Sequence, residues 1–122
     1  MEASASFATQ MVEADGAVEV GLLSDSLRVS KAELAFATGL SRDAVSKSRR
    51  LHAPSTQSRL RDVVDILRRV QPWCGSLPQA FAWYRAQPLP SFGDQTAEAL
   101  VKEGRAEAVK RYLDRIAVGG YA

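Results

Sequence analysis

The 122-residue sequence predicts an all-α protein, and three observations carry that reading. Apolar residues recur at helical spacing in five or six separate segments, as in Val109, Tyr112, Leu113 and Ile116, which stand at i, i+3, i+4 and i+7. No segment alternates apolar and polar residues for long enough to anchor a sheet. Capping signals mark where the helices should begin and end, with Ser30 three residues before Glu33 and glycines at 39, 104 and 119.

Taken in order, residues 1–15 are small, polar and acidic and read as a flexible N-terminus. A first helix is expected from Ala17 to about Leu27, presenting Val18, Leu22 and Leu23 to the core. Ser30 and Glu33 form a capping box, so a helix should run from Lys31 to Thr38. Gly39 then supplies a left-handed turn and Ser41 caps a helix from Arg42 to about Leu51. Pro54-Ser55-Thr56 should interrupt, before a longer helix that buries Leu60, Val63, Val64, Leu67 and Val70. The run from Pro72 to Ser76 breaks that pattern and divides the chain into halves, 16–71 and 72–122. Beyond it, a helix is expected from Leu77 to Arg85, an extended connector at Pro88-Leu89-Pro90, and a helix from Thr96 to Glu103. Gly104 separates these from a final helix that Gly119 should stop. The aromatic residues Trp73, Phe81, Trp83 and Tyr84 are expected to serve mainly as core.

Composition narrows the function classes. With 46% hydrophobic and 25% charged residues the chain is ordinary for a globular domain. No stretch approaches the ~18 to 20 apolar residues of a membrane span, and the acidic start lacks a cationic leader, so a cytoplasmic protein is expected. Cys74 and His52 are solitary, which leaves no metal-ligand spacing and no nucleophile with a base and an orienter. There is also no phosphate-binding glycine loop, so neither an enzyme nor a cofactor is expected. The net charge of +2 hides an uneven distribution. Residues 1–30 hold five acids against Arg28 alone, whereas residues 42–69 hold eight cations against Asp43, Asp62 and Asp65. The second segment is a modest electrostatic footprint for phosphate.

That footprint overlaps a motif. Lys31 to Arg50 fits a helix-turn-helix, with Ala35 as the small residue at the closest helix crossing, Gly39 at the positive-φ turn and Val45 packing the second helix onto the first. Leu34 and Leu40 fill the space between them. A second helix of this kind reads the major groove through its N-terminal residues, which makes Ser41, Arg42, Asp43, Ser46 and Lys47 the groove-facing candidates. Arg42 suits a bidentate guanine contact, and Lys47, Arg49 and Arg50 suit phosphate. So few phosphate contacts bind weakly from one copy, so specific operator binding calls for a homodimer on paired half-sites.

The second half carries a more specific pattern: Trp83, Gly93, Thr96-Ala97-x-x-Leu100, and then Gly-x4-Val-x3-Leu-x2-Ile-x2-Gly from Gly104 to Gly119. It resembles the toxin-binding domain of the Xre/MbcA/ParS antitoxins of RES-Xre toxin-antitoxin modules. With the helix-turn-helix upstream, the resemblance covers about residues 20–122. One departure stands at Ala97, where the family often has proline; proline at a first helical turn only preorganises it, so alanine should leave that helix intact.

The resemblance implies an antitoxin that neutralises a RES-domain toxin encoded by the adjacent gene, an enzyme that consumes NAD by degrading it or by transferring its ADP-ribose. It also implies repression of the antitoxin's own operon, and a homodimer within a larger toxin-antitoxin complex. By position, Gly119, Gly120, Tyr121 and Ala122 would enter the toxin's NAD cleft. The glycines would thread it, the Tyr121 ring would fill a flat slot, and the terminal carboxylate would meet the cations that hold the dinucleotide. Arg111 and Arg115 lie on the helix leading into that segment, where charged residues either pair along the surface, Glu107 with Arg111 and Lys110 with Asp114, or rim the toxin interface. The competing reading is a plain helix-turn-helix regulator whose C-terminal half only dimerises.

Overall fold

The computed structural model describes residues 17–119, with only the backbone described at 118 and 119. The expectations placed on residues 1–15 and on Gly120, Tyr121 and Ala122 lie outside the described residues. Within them the chain forms eight α-helices: α1 Val20–Leu27, α2 Lys31–Thr38, α3 Arg42–Ser46, α4 Ser48–Leu51, α5 Pro54–Cys74, α6 Leu77–Ala86, α7 Ala97–Lys102 and α8 Ala106–Gly119. A 3-10 turn at Pro90–Phe92 lies between α6 and α7. The fold is all-α.

Local chemistry sets most of these boundaries. Ser30, Ser41, Ser76 and Thr96 each cap a helix by accepting a hydrogen bond from the amide three residues on. Thr96 does so with Ala97 as the first helical residue, so the helix is intact without proline. Gly39 closes α2 at φ +76, and its open side leaves no room for a methyl group. A Cβ there would stand 2.9 Å from Arg59 Nη1 and 3.1 Å from Lys102 Cγ.

Four sequence expectations are corrected. The first helix starts at Val20, capped by the Glu19 carboxylate on the Gly21 amide. Val18 is therefore buried ahead of the helix, and Leu22 faces outward at 46% exposure. The segment Arg42 to Leu51 is two helices, because Lys47 takes extended backbone at φ −100 and ψ 122. Ser46 turns its hydroxyl back onto the Arg42 carbonyl, the local competition by which serine weakens a helix interior. Pro54 begins α5 rather than interrupting it, as proline can at a first turn where its missing amide is not needed. The same helix runs through Pro72 to Cys74, since a proline in the last turn forfeits a single donor.

One hydrophobic core serves both halves of the sequence. Leu23 and Leu27 of α1, Leu34 and Ala37 of α2, and Leu60, Val63, Ile66, Leu67 and Val70 of α5 lie in the same cluster as Tyr84, Leu100, Val109 and Leu113. The long helix α5 is its spine, packing against α2, α4, α6, α7 and α8. Phe81 and Tyr84 are buried with their rings stacked at 5.9 Å, and Trp83 is half-buried. Trp73 is 52% exposed and is not a core residue.

The C-terminal end of α2 is finished by side chains from distant elements. Its last carbonyls lack helical donors. The fully buried Tyr84 hydroxyl donates to the Ala37 carbonyl at 2.7 Å, and Arg59 donates to the Thr38 carbonyl at 2.8 Å. Burial pushes the Tyr84 phenol far above its ordinary range, so it stays a donor at every physiological pH.

Candidate functional site

Two surfaces carry the residues singled out in the sequence. The first is the helix-turn-helix of α2 and α3. Ala35 and Val45 are buried at 1% and 2%, Leu34 is fully buried, and Leu40 is half-buried between the helices. The turn Gly39-Leu40-Ser41 directs α3 away from α2, and the Leu40 amide reaches back to the Ala35 carbonyl at 2.9 Å. Ser41, Arg42, Asp43, Ser46, Lys47, Arg49 and Arg50 are all exposed. Ser41 spends its oxygen on the Ala44 amide, and Asp43 lies 3.7 Å from Arg50 in a loose surface pair. Among the described residues Arg42, Lys47 and Arg49 have no carboxylate within ion-pair distance, so their charge faces solvent. The extended backbone at Lys47 puts Arg49 and Arg50 on a separate turn, α4, from which Arg50 still reaches Asp43 of α3.

Three of the other cations of the basic segment are bonded within the fold. Arg59 caps α2, Arg68 pairs with Asp65 at 2.9 Å, and Arg69 bonds Asp65 and the Asp114 carboxylate.

The second surface is α8, which buries Ala106, Val109, Tyr112 and Leu113 and tucks Ile116 against the core. Its two flanks differ. On one flank Lys110 reaches α5, bonding Asp62 at 2.7 Å and lying 3.5 Å from Asp65, while also holding Glu107 at 3.0 Å. Arg69 returns the contact from α5 to Asp114 and to the Lys110 carbonyl. The expected pairing of Lys110 with Asp114 along the helix is thus replaced by bonds across to α5, because both groups lie against its row of charges. Burial disfavours the Lys110 charge, yet the bonds to Asp62 and Glu107 outweigh it and raise its pKa. Asp65 behaves in the mirror sense: burial raises it, but the Arg69 bond and the charges of Arg69, Lys110 and Arg68 prevail and lower it.

On the opposite flank of α8, Arg111 and Arg115 are exposed, and among the described residues neither meets a carboxylate. Arg115 lies over the Tyr112 ring at 5.8 Å. The predicted pair of Glu107 with Arg111 is not made, since Glu107 turns to Lys110. The α8 backbone continues to Gly119, helical up to the point where the described residues end.

Sequence reasoning missed the fastenings: Tyr84 on Ala37, Arg59 on Thr38, and Lys110 on Asp62. All three join residues at least 21 positions apart, and no local spacing signals them. It also missed Arg105. Carrying the α8 wheel back one residue would have found it, since Arg105, Tyr112 and Arg115 stand at i, i+7 and i+10.

The described residues thus form an all-α fold with an exposed helix-turn-helix and a C-terminal helical unit that ends in α8. Residues 70–119 match the family described as the antitoxin Xre/MbcA/ParS C-terminal toxin-binding domain, which supports the antitoxin family for that part of the chain. Comparison with curated proteins and with solved structures gives no match. The toxin-binding domain comprises the end of α5 together with α6, α7 and α8, so its partner is a toxin. No helix of the described residues is long and apolar enough to cross a membrane, and among them no cluster of three metal-ligating side chains occurs.

Proposed function

We propose that the protein neutralises a RES-domain, NAD-consuming toxin encoded beside it, by placing residues 119–122 in the toxin's NAD cleft. The supporting observation is the family match over 70–119, which ends at the segment in question. The form of α8 agrees with this reading. Its inward flank is fastened to α5, so the helix that leads to Gly119, Gly120, Tyr121 and Ala122 is held rigidly against the core. Arg111 and Arg115 accompany that segment as exposed cations at the rim of the contact.

In the same reading the α2–α3 unit binds operator DNA as a homodimer, giving repression of the operon. Arg42, at the start of α3, reads a base edge, and Lys47, Arg49 and Arg50 hold phosphates. The protein is then a cytoplasmic interaction module without catalytic chemistry of its own.

The test is co-expression with the neighbouring gene product. The expected result is a stable complex in which NAD consumption is silent, with activity appearing when the toxin is released from it. If the two proteins do not co-purify, the reading fails. Operator binding is checked separately by gel shift with Arg42→Ala and Lys47→Ala. The first should relax sequence preference, and the second should weaken binding to all sequences alike.

A further inference from the structure

Beyond Arg111 and Arg115, the outward flank of the C-terminal helix carries a longer array. Arg105, just before α8, lies over the Phe92 ring at 5.5 Å, Phe92 meets Tyr112 edge-on at 5.7 Å, and Arg115 lies over Tyr112 at 5.8 Å. Two arginines thus bracket a pair of touching rings, with Arg111 one turn from Arg115 on the same edge. The stripe runs from residue 105 to residue 115, about 15 Å at helical rise. All three guanidinium groups are exposed, and among the described residues none has a carboxylate within ion-pair distance. This contrasts with Lys110 and Arg69, which are consumed by bonds between α8 and α5.

We infer that Arg105 and Arg115, steadied by Phe92 and Tyr112, form together with Arg111 a docking stripe for an acidic protein surface on the toxin, outside the NAD cleft. The inference rests on the toxin reading above and adds to it a second contact that guides association. Arginines laid against rings lose little freedom on binding and present a planar fork that fits carboxylates two bonds at a time. Arginine is also among the residue types that most often dominate protein interfaces. A protein partner is favoured over nucleic acid because the neighbouring flank presents Glu107 and Asp114 at 70% and 64% exposure. Those carboxylates repel a continuous phosphate backbone, whereas a protein surface can place its acids opposite the arginines alone. The stripe also lies within the matched toxin-binding domain.

The test follows association and dissociation between the full chain and the RES-domain protein encoded beside it, at low and high salt. Combined Arg105→Gln, Arg111→Gln and Arg115→Gln substitutions should slow association about tenfold at low salt and flatten its salt dependence, with the helical circular dichroism unchanged. The matching triple change to lysine should restore the association rate but dissociate faster, because charge returns without the stacked fork. Unchanged association and salt dependence in the glutamine variant would overturn the inference. So would a glutamine variant that keeps its toxin kinetics and loses affinity for a mixed-sequence DNA duplex. If the wild-type chain captures no RES-domain protein at all, the toxin reading itself falls and takes the stripe with it; capture with indifferent variants removes the stripe alone.

Discussion

Single side chains decide how the two surfaces are held. Tyr84 and Arg59 supply the donors that the last turn of α2 cannot find within its own helix. Tyr84→Phe keeps the ring packing and removes one bond, leaving the Ala37 carbonyl buried without a donor. That should lower unfolding stability by about 1–2 kcal/mol, read as a shifted denaturant midpoint with an unchanged slope. Gly39 is the other sensitive point of the turn. Gly39→Ala forces a side chain into left-handed backbone and against Arg59 and Lys102, and should also cost about 1–2 kcal/mol in the same assay. Of these, the glycine was legible in the sequence as a turn residue of a known motif. The tyrosine read only as core, because a hydroxyl's partner 47 residues away leaves no mark on local spacing.

At the scale of elements, α8 is fixed to α5 by a charged seam in which Asp62, Asp65, Arg69, Lys110 and Asp114 exchange bonds. The seam gives stability a pH dependence with a definite sign. The Asp65 carboxyl lies below its ordinary value of 3.8 in the folded chain, so the unfolded chain binds more protons in that window. Its contribution is complete above that value and is lost as pH falls through the folded pKa. Lys110 lies above its ordinary 10.5, so its contribution is complete below that value and is lost as alkaline pH passes the folded one. Thermal melts of Asp65→Asn across acidic pH should show a weaker fall than the parent chain. An identical acid limb in both would remove Asp65 from the seam. Helix starts at Lys31 and Arg42 were readable from their serine caps, whereas the break at Lys47 was not. The apolar spacing continues across it, and the competing bond of Ser46 shows only in three dimensions.

Across the whole molecule, the helix-turn-helix and the toxin-binding domain share one core. Tyr84 of the second half finishes a helix of the first, and Arg85 bonds both Glu33 and Glu98. The chain should therefore unfold in a single transition, with tryptophan fluorescence and circular dichroism coincident. Two separated transitions would show instead that the halves fold on their own. This sharing was hidden in the sequence, where Pro72 to Ser76 looks like a break; proline near a helix end and Gly75 after it end α5 without dividing the core. The family, by contrast, was legible from the glycine and apolar spacing between Gly104 and Gly119, since that spacing is the pattern of one buried helix face and its two ends.

Inhibition of the toxin by residues 119–122 is the step on which the proposed function turns. It is tested most directly by deleting residues 120–122 and measuring NAD consumption by the purified complex. The shortened protein is expected to co-purify with the toxin while NAD consumption resumes. Inhibition undiminished by the deletion would contradict it.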